Sequence, residues 1–230
     1  NEIFKAINIS LSEKGILVIE DPSLLECLKN VAYDQFYCEH IYVFSTISLK
    51  KILDKYNMEI FNIENTNTHG GSNRYFIKKK NRKRKINLSV KIQRKKEISY
   101  GIKKLSTYNE FAKRVKSSKK KLKNIFIKIN SKNKKIIGYG ATAKSTTILN
   151  FCKINANLIS YFVDTTKDKQ NKYTPGTKIP IFKYLNIIEK NIDFVFLGAW
   201  NFKEEIFKKE KKFIKKGGKF IIHTPKPKIL

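Results

Sequence analysis

The stretch GYGATA at residues 138–143 decides how the second half of the chain folds. It matches the pattern G-x-G-x-x-G/A, whose glycines permit a tight turn between a strand and the helix that follows. Residues 135–138 begin an apolar strand before the turn, and residues 142–152 predict a helix after it. The backbone N–H groups at the start of such a helix can bind an anion. This order of elements indicates the first strand–helix unit of a Rossmann-type fold.

Further strand patterns follow this turn, at residues 158–163, 193–197 and 219–223. The first of them ends at Asp164, where a dinucleotide-binding fold places its ribose-binding acid. A helix is predicted over residues 202–215, between the last two strands. We therefore predict a small, doubly wound α/β sheet. The glycine motif and Asp164 leave an NAD(P)-dependent oxidoreductase, or a nucleotide-binding Rossmann module, open as an alternative.

The first part of the chain predicts a second α/β region. Residues 16–20 form a short apolar run between turn residues, which is typical of a buried parallel strand. Residues 58–65 and 72–79 alternate like two strands, and a turn that contains His69 and two glycines joins them. Glycine at such a turn allows a positive φ or the close approach of a ligand to the backbone.

The charge of the chain has two possible meanings. A net charge of +30 on 230 residues raises the question of nucleic-acid binding. Lysine far outnumbers arginine, however, and base or phosphate recognition favours arginine, so an AT-rich coding sequence explains the bias better. The sequence therefore argues against a nucleic-acid partner, and a non-enzymatic basic binding module rests on charge alone. Residues 80–130 are interpreted as a solvated helical connector, because a run of charge is usually a solvated face.

The apolar and cysteine patterns indicate the compartment. No apolar run approaches the roughly 20 residues that a membrane-spanning helix needs, so no membrane partner is expected. Cys27, Cys38 and Cys152 are odd in number and share no CxxC spacing, which predicts neither a disulfide framework nor a metal site. These features favour a reducing cytoplasm. Because the chain begins at Asn1 in a helix-like stretch, we expect further sequence to precede it.

The stretch YDQFYCEH at residues 33–40 concentrates groups that can transfer protons. An imidazole with a pKa near 6.5 can accept a proton at neutral pH, and a neighbouring phenol or carboxylate can orient it. His40 is therefore the candidate general base, with Tyr37 and Glu39 beside it. The alternative interpretation is that His40 is a surface or core histidine whose hydrogen bonds are satisfied and which has no catalytic role.

Several stretches together resemble one family. They are YDQFYCEH at 33–40, THGGS at 68–72 with Arg74, GYGATAK at 138–144, KQNKYTPGTKIPI at 169–181, AWNF at 199–202 and GGKFII at 217–222. In this order and spacing they are similar to the S-adenosylmethionine-dependent C-methyltransferases that act on nucleotide-linked keto-deoxysugars. The resemblance runs over nearly the whole chain. Its departures are Ser145 and Asn171, where glycine is expected, and His223 in the final strand.

The resemblance implies an enzyme of three parts. A small zinc-binding domain comes first, a methyltransferase domain second and a Rossmann-like domain last, and the last two flank the sugar nucleotide. Residues 1–79 would then be the back half of the methyltransferase domain, residues 80–130 a basic connector and residues 131–230 the substrate-binding domain. The zinc ligands and the glycine-rich loop for S-adenosylmethionine are expected only in sequence that precedes this chain.

The same resemblance implies roles for particular residues. His40 is the expected base, and Tyr37 and Glu39 are its companions. Contacts with the nucleotide-linked sugar are expected from His69, Arg74, Tyr139, Lys144, Trp200 and Asn201. Glu20, the acid that ends the first predicted strand, is expected to contact the methyl donor. A C–H beside a keto group is acidic because its anion is an enolate, so this chemistry needs a base near the carbon and hydrogen-bond donors near the oxygen.

Overall fold

A computed structural model describes residues 2–81, 83–184 and 192–230. The chain forms two compact units: unit 1 comprises Asn1–Lys29 and Tyr42–Phe111, and unit 2 comprises Asn30–Ile41 and Ala112–Leu230. The predicted division into residues 1–79, 80–130 and 131–230 stays a prediction, and the compact units have other bounds. The stretch that contains His40 belongs to unit 2, with the carboxyl-terminal sheet.

Unit 1 contains a three-stranded sheet. Its strands are β1 (Leu17–Pro22), β2 (Met58–Thr66) and β3 (Ser72–Lys79), in the order β1-β3-β2. The two strands predicted on either side of the glycine turn are confirmed as β2 and β3. The prediction of a buried parallel strand for residues 16–20 was wrong, because β1 pairs antiparallel with β3 and Val18 is 49% exposed. An apolar run alone does not determine the direction of a strand.

Three helices pack against this sheet: α1 (Glu2–Ser10), α3 (Thr46–Asp54) and α4 (Leu88–Tyr100). The short helix α2 (Leu24–Lys29) packs elsewhere, since its Leu25 and Leu28 form a core with Ile102. Leu49 and Leu53 of α3 and Val90 of α4 share a core with the strand residues Met58 and Tyr75. Helix α4 is therefore not solvated on all faces. This part of the predicted connector packs against the sheet of unit 1.

A buried carboxylate joins α3 to α4. Glu97 of α4 is fully buried, and its two oxygens accept hydrogen bonds from the backbone N–H groups of Thr46 at 2.8 Å and Ile47 at 3.1 Å. A carboxylate at a helix start satisfies open N–H groups and complements the helix dipole. The basic region thus contains an acid that fixes the beginning of another helix. The long helix α5 (Leu105–Asn130) follows and buries Val115, Leu122 and Phe126 on one side.

Unit 2 contains a seven-stranded sheet that is mostly parallel. Its strands are β4 (Ile136–Tyr139), β5 (Phe162–Asp164), β6 (Lys172–Tyr173), β7 (Pro180–Lys183), β8 (Phe194–Leu197), β9 (Lys219–Ile222) and β10 (Lys228–Ile229). Their order in the sheet is β10-β9-β8-β4-β5-β7-β6. The strand β4 pairs in parallel with β5 on one side and with β8 on the other. The chain thus changes direction across the sheet at β4, and such a switch point is where open α/β sheets bind ligands.

The predicted Rossmann-like fold of unit 2 is confirmed, with three differences. The helix α6 (Ala143–Cys152) follows the glycine turn as predicted, whereas the helix predicted over residues 202–215 is two helices, α7 (Lys203–Lys209) and α8 (Lys211–Lys215). The strand predicted over 158–163 shortens to β5. The strands β6, β7 and β10 were not predicted, and the edge strands β6 and β10 pair antiparallel. In the described part of the chain, no helix combines the length and the apolar character that a membrane crossing requires.

Candidate functional site

The glycine turn is held by close packing against the end of β8. Gly140 has φ +81, and a Cβ there would lie 2.8 Å from the Cβ of Ala199. A Cβ on Gly198 would lie 2.3 Å from the Gly140 carbonyl oxygen and 2.9 Å from the Cβ of Ser145. Ser145, which replaces an expected glycine, therefore fits because Gly198 opposite it has no side chain. Thr142 caps α6, since its Oγ1 accepts the Ser145 N–H at 3.0 Å.

Asp164 fastens the same turn from the neighbouring strand. Its Oδ2 accepts the Ala141 N–H at 2.8 Å, and its Oδ1 accepts the Thr166 N–H at 2.8 Å. Lys169 Nζ lies 3.8 Å from Oδ2. Both carboxylate oxygens thus bind groups of this chain, which weakens the nicotinamide alternative because it needs this acid for a ribose. Asn171 has φ +60, so this second replacement of glycine does adopt the left-handed conformation that asparagine tolerates.

A pocket of 350 Å³, here called the strand-end pocket, lies at the carboxyl ends of the parallel strands. Its lining includes Tyr139, Asp164, Lys169, Tyr184, Phe202 and Lys209. The volume falls in the range of small-molecule sites, about 300–1,000 Å³. The pocket is thus large enough for part of a sugar nucleotide. Among the residues with a predicted substrate role, Tyr139 lines it.

Two phenols that line the strand-end pocket, those of Tyr139 and Tyr184, share one buried carboxylate. Tyr139 and Tyr184 both donate to Oε1 of the buried Glu210, at 3.2 Å and 2.6 Å. Burial, followed by the charge of Glu210, raises the pKa of Tyr139 far above its ordinary value. Lys209 Nζ lies 3.6 Å from the centre of the Tyr184 ring. The phenols are therefore neutral and fixed, while a cation lies at the rim.

His40 belongs to a short loop in unit 2 that follows the one-turn 3-10 segment Tyr33–Gln35. Its Nδ1 lies 3.0 Å from the carbonyl oxygen of Gln35, and its Nε2 lies 3.2 Å from Tyr37 Oη. A carbonyl oxygen only accepts hydrogen bonds, so in the neutral ring Nδ1 carries the proton and Nε2 keeps the lone pair. The two rings are 4.3 Å apart between centroids. The structure thus brings Tyr37 and His40 together with the basic nitrogen on the phenol side.

Glu39 is placed differently from the other two candidates in this loop. Its side chain is exposed, whereas Tyr37 and His40 are half-buried. Burial, followed by the charges of Glu39 and Asp34, raises the pKa of Tyr37 above its ordinary value. Glu39 therefore acts on Tyr37 through its charge.

A group of polar side chains, here called the Asp34 cluster, comprises the buried residues Asp34, Lys144 and His223 and the half-buried Trp200. Trp200 Nε1 donates to Asp34 Oδ2 at 2.5 Å, and His223 Nε2 lies 3.2 Å from the same oxygen. Lys144 Nζ lies 5.5 Å from the centre of the Trp200 ring and is 5% exposed as a residue. Two residues with a predicted substrate role, Lys144 and Trp200, thus have neighbours inside unit 2.

The charge of Asp34 is stabilised by its neighbours. Burial by itself would raise the pKa of this carboxyl group. The charge and hydrogen bonding of His223, the indole N–H of Trp200 and the charge of Lys144 together hold the pKa below its usual value. Asp34 is therefore ionised, although it is fully buried. Sequence reasoning passed over Asp34 and noted His223 only as a departure from the family pattern. Asn201, the remaining predicted contact in this region, is half-buried in the turn after Trp200.

In unit 1, Glu20 and Arg74 form part of a ladder of charges across the sheet. Arg74 Nε and Nη2 lie 2.9 Å and 2.8 Å from Glu20 Oε2, and Arg74 Nη1 lies 3.3 Å from Glu64 Oε2. Thr66 Oγ1 donates to the other oxygen of Glu20 at 3.3 Å. The register explains the ladder, because Arg74 of β3 is opposite both Glu20 of β1 and Glu64 of β2. The carboxylate predicted to contact a methyl donor is thus held by this chain's own residues.

His69 lies in the turn between β2 and β3. It adopts φ 54 and ψ 19, and Gly70 and Gly71 follow with φ 84 and φ 127. A Cβ on Gly71 would lie 2.9 Å from Glu26 Cβ, so this position needs glycine on two grounds. Beside the turn lies a polar pocket of 230 Å³, whose lining includes Glu26, Asn65, Gly70, Gly71, Asn73, Gln93 and Lys96.

Fold and site together define a Rossmann-like α/β protein with a pocket at the carboxyl ends of its parallel strands. Residues 67–225 match the family described as C-methyltransferase C-terminal domain. The chain belongs to this family. It is also similar to the C-methyltransferase NovU of Streptomyces niveus, with 30% identity over 230 residues. That alignment covers 100% of this chain and 55% of NovU, so the chain spans about half the length of this relative.

Proposed function

We propose that this chain is part of an S-adenosylmethionine-dependent C-methyltransferase, and that its substrate is a nucleotide-linked keto-deoxysugar. In this proposal His40 removes the proton from the carbon that is methylated. Membership of the C-methyltransferase family supports transfer of a methyl group to carbon. The observation that carries the role of His40 is the contact between its Nδ1 and the Gln35 carbonyl, because it leaves Nε2 as the basic nitrogen.

The proposed proton transfer uses the loop as follows. The C–H bond beside the keto group breaks, its proton goes to His40 Nε2, and its electron pair forms the enolate. Negative charge then develops on the former keto oxygen, which needs a hydrogen-bond donor. Tyr37 Oη is 3.2 Å from Nε2, so the phenol must turn from the imidazole to the keto oxygen when the substrate enters. The raised pKa of Tyr37 keeps this phenol protonated, as a donor has to be.

We assign the nucleotide part of the substrate to the strand-end pocket. Lys169 and Lys209 offer cations to a diphosphate, and Tyr184 and Phe202 offer aromatic faces to a base. The assigned contact of Tyr139 is retained here, through its ring in the pocket wall. Lys144, Trp200 and Asn201 remain proposed contacts of the sugar nucleotide, and so do His69 and Arg74.

The methyl donor is proposed on the basis of the family alone. Glu20 remains the proposed contact of the donor, and in this structure its carboxylate is also held by Arg74 and Thr66. We assign no step to the donor. The zinc-binding domain expected from the family resemblance likewise remains a prediction about sequence outside this chain. A cytoplasmic location is proposed because Cys27, Cys38 and Cys152, all within the described ranges, form no disulfide.

The test is exchange of the substrate's acidic hydrogen with solvent. The full-length gene product is incubated in D₂O with a thymidine-diphosphate-linked keto-deoxysugar and without a methyl donor, and deuterium incorporation is followed by mass spectrometry. We expect incorporation with the wild type and at least about a 100-fold slower rate with His40→Gln, since a positioned base contributes about 10²–10⁴-fold. Cys38→Ser, an exposed substitution in the same loop, is the control and should exchange normally. Equal exchange by His40→Gln would remove His40 as the base.

A further inference from the structure

The Asp34 cluster lies directly behind the loop that contains His40. Asp34 belongs to the one-turn segment Tyr33–Gln35, and His223 follows the end of β9. Both residues are 0% exposed, so their contact is shielded from water and from salt. Tyr33 adds to the contact, because its ring centre lies 6.2 Å from that of His223 at a steep angle. The loop is thus held to the sheet by the contact between Asp34 and His223 as well as by packing.

The anchor reaches His40 through one residue. Gln35 follows Asp34 directly, is fully buried, and provides the carbonyl oxygen that lies 3.0 Å from His40 Nδ1. The position of that carbonyl depends on the position of the turn, and the turn is held by Asp34. The tautomer of His40 depends in turn on that carbonyl. A displacement of Asp34 is therefore expected to change which nitrogen of His40 carries the proton.

We propose that His223 and Asp34 are positioning residues that hold the Gln35 carbonyl on His40 Nδ1 and so keep Nε2 basic. This inference rests on the proposed function for its catalytic consequence. His223, just after β9, is a residue that sequence reasoning noted as a departure from the family resemblance, while Asp34 and Trp200 lie in stretches that carry this resemblance. Neither residue is assigned a contact with the substrate.

The tautomer of His40 can be measured directly. In protein with ¹⁵N-labelled histidine, the shifts of the two ring nitrogens report which of them carries the proton. We expect His40 in the wild type to carry it on Nδ1, and His223→Phe to move the population towards Nε2–H. The variant should also reduce kcat for methyl transfer about 10-fold or more with little change in KM, because misplacement of a reacting group by about 1 Å can cost up to about 100-fold.

Thr224→Val is the matched control. Thr224 Oγ1 donates to the Asn30 carbonyl at 2.8 Å, so it joins the same two segments without contacting Asp34. This variant should lose stability and keep both the His40 nitrogen shifts and kcat. If His223→Phe does not fold, Asp34→Asn keeps the volume of the carboxyl group and makes the same test.

The outcomes separate the two proposals. Unchanged His40 shifts in both His223→Phe and Asp34→Asn would overturn the positioning role, whatever the activity. If instead the wild type neither exchanges nor methylates the sugar nucleotide, the proposed function fails, while the nitrogen shifts still decide whether His223 and Asp34 position His40. Shifts that move equally in Thr224→Val would also overturn the specific role of the Asp34 cluster.

Discussion

Two acidic side chains of this protein, Glu20 and Asp34, each contact a basic side chain, and their surroundings differ. Glu20 lies 2.8 Å from Arg74 on an open sheet face, with side-chain exposures of 28% and 41%. Asp34 lies 3.2 Å from His223, and both side chains are 0% exposed. Exposed ion pairs contribute about 0–1 kcal/mol, whereas removing one partner from a buried pair costs about 3–5 kcal/mol. Burial, and not the contact distance, therefore decides which pair the fold depends on.

The largest expected effect comes from breaking the buried pair. Asp34→Ala should lower the free energy of unfolding of unit 2 by about 3–5 kcal/mol, because the indole N–H of Trp200 loses its acceptor and His223 loses the carboxylate that lies 3.2 Å from its Nε2. Trp200 is the single tryptophan of the chain, so urea unfolding followed by tryptophan fluorescence reports unit 2. Asp34→Asn, which keeps a carbonyl oxygen at the site, should lose less. A loss below about 1 kcal/mol in Asp34→Ala would place this pair in the class of exposed pairs.

Acid should weaken the buried pair in a defined direction. The folded pKa of Asp34 is lower than its ordinary value, so its ionisation stabilises the fold at neutral pH, and this stabilisation is lost as the pH falls through the folded pKa. The groups that face Asp34 are His223, Lys144, Trp200 and Tyr33. The difference in Tm between the wild type and Asp34→Asn should therefore be constant near neutrality and shrink in strong acid. A difference that grows on acidification would contradict this assignment.

An intermediate effect on stability is expected at the glycine turn, where the cause is a steric clash and not the loss of a charge contact. Gly198→Ala should cost about 1–3 kcal/mol, because the new Cβ would lie 2.3 Å from the Gly140 carbonyl oxygen. Adding Ser145→Gly should not restore stability, since the backbone contact remains. Gly217→Ala is the control: it has φ +87 and nothing within 4 Å of the added Cβ, so its cost of about 1–2 kcal/mol is conformational alone. Full rescue of Gly198→Ala by Ser145→Gly would show that the side chain, not the carbonyl, sets the limit.

The sequence predicts the sheet of unit 2 well where the signal is local. The glycine turn, α6 and the apolar runs of β4, β8 and β9 are contiguous patterns. The edge strands β6 and β10 have two residues each, too few for a period to be read. The predicted direction of β1 was wrong because the pairing of β1 is set by β3, whose residues lie fifty or more positions later in the chain. Whether an apolar run pairs in parallel or antiparallel depends on its partner strand and not on the run itself.

The same limit applies to the candidate site. Tyr37 and His40 are three positions apart, and the sequence predicts their contact. Asp34 and Trp200 are 166 positions apart, so the acid that holds the loop had no local signal. Lys144 shows the opposite case, because a cation at a helix start suggests an anionic ligand until its burial beside Trp200 is known. Sequence reasoning noted His223 as a departure from the family resemblance and Lys144 and Trp200 as substrate contacts, but it did not connect these residues with Asp34.

The smallest effect is expected from the exposed pair. Glu20→Gln should change the stability of unit 1 by less than about 1 kcal/mol, because Arg74 keeps Glu64 at 3.3 Å and solvent screens the rest. Hydrogen exchange of the β1 and β3 amides measures this, and added salt should remove most of the difference. A different result is possible: Glu20→Gln could abolish binding of S-adenosylmethionine to the full-length gene product while hydrogen exchange of the β1 and β3 amides stays normal. Donor binding would then require Glu20 to leave its contact with Arg74. That outcome would support the proposed contact between Glu20 and the donor.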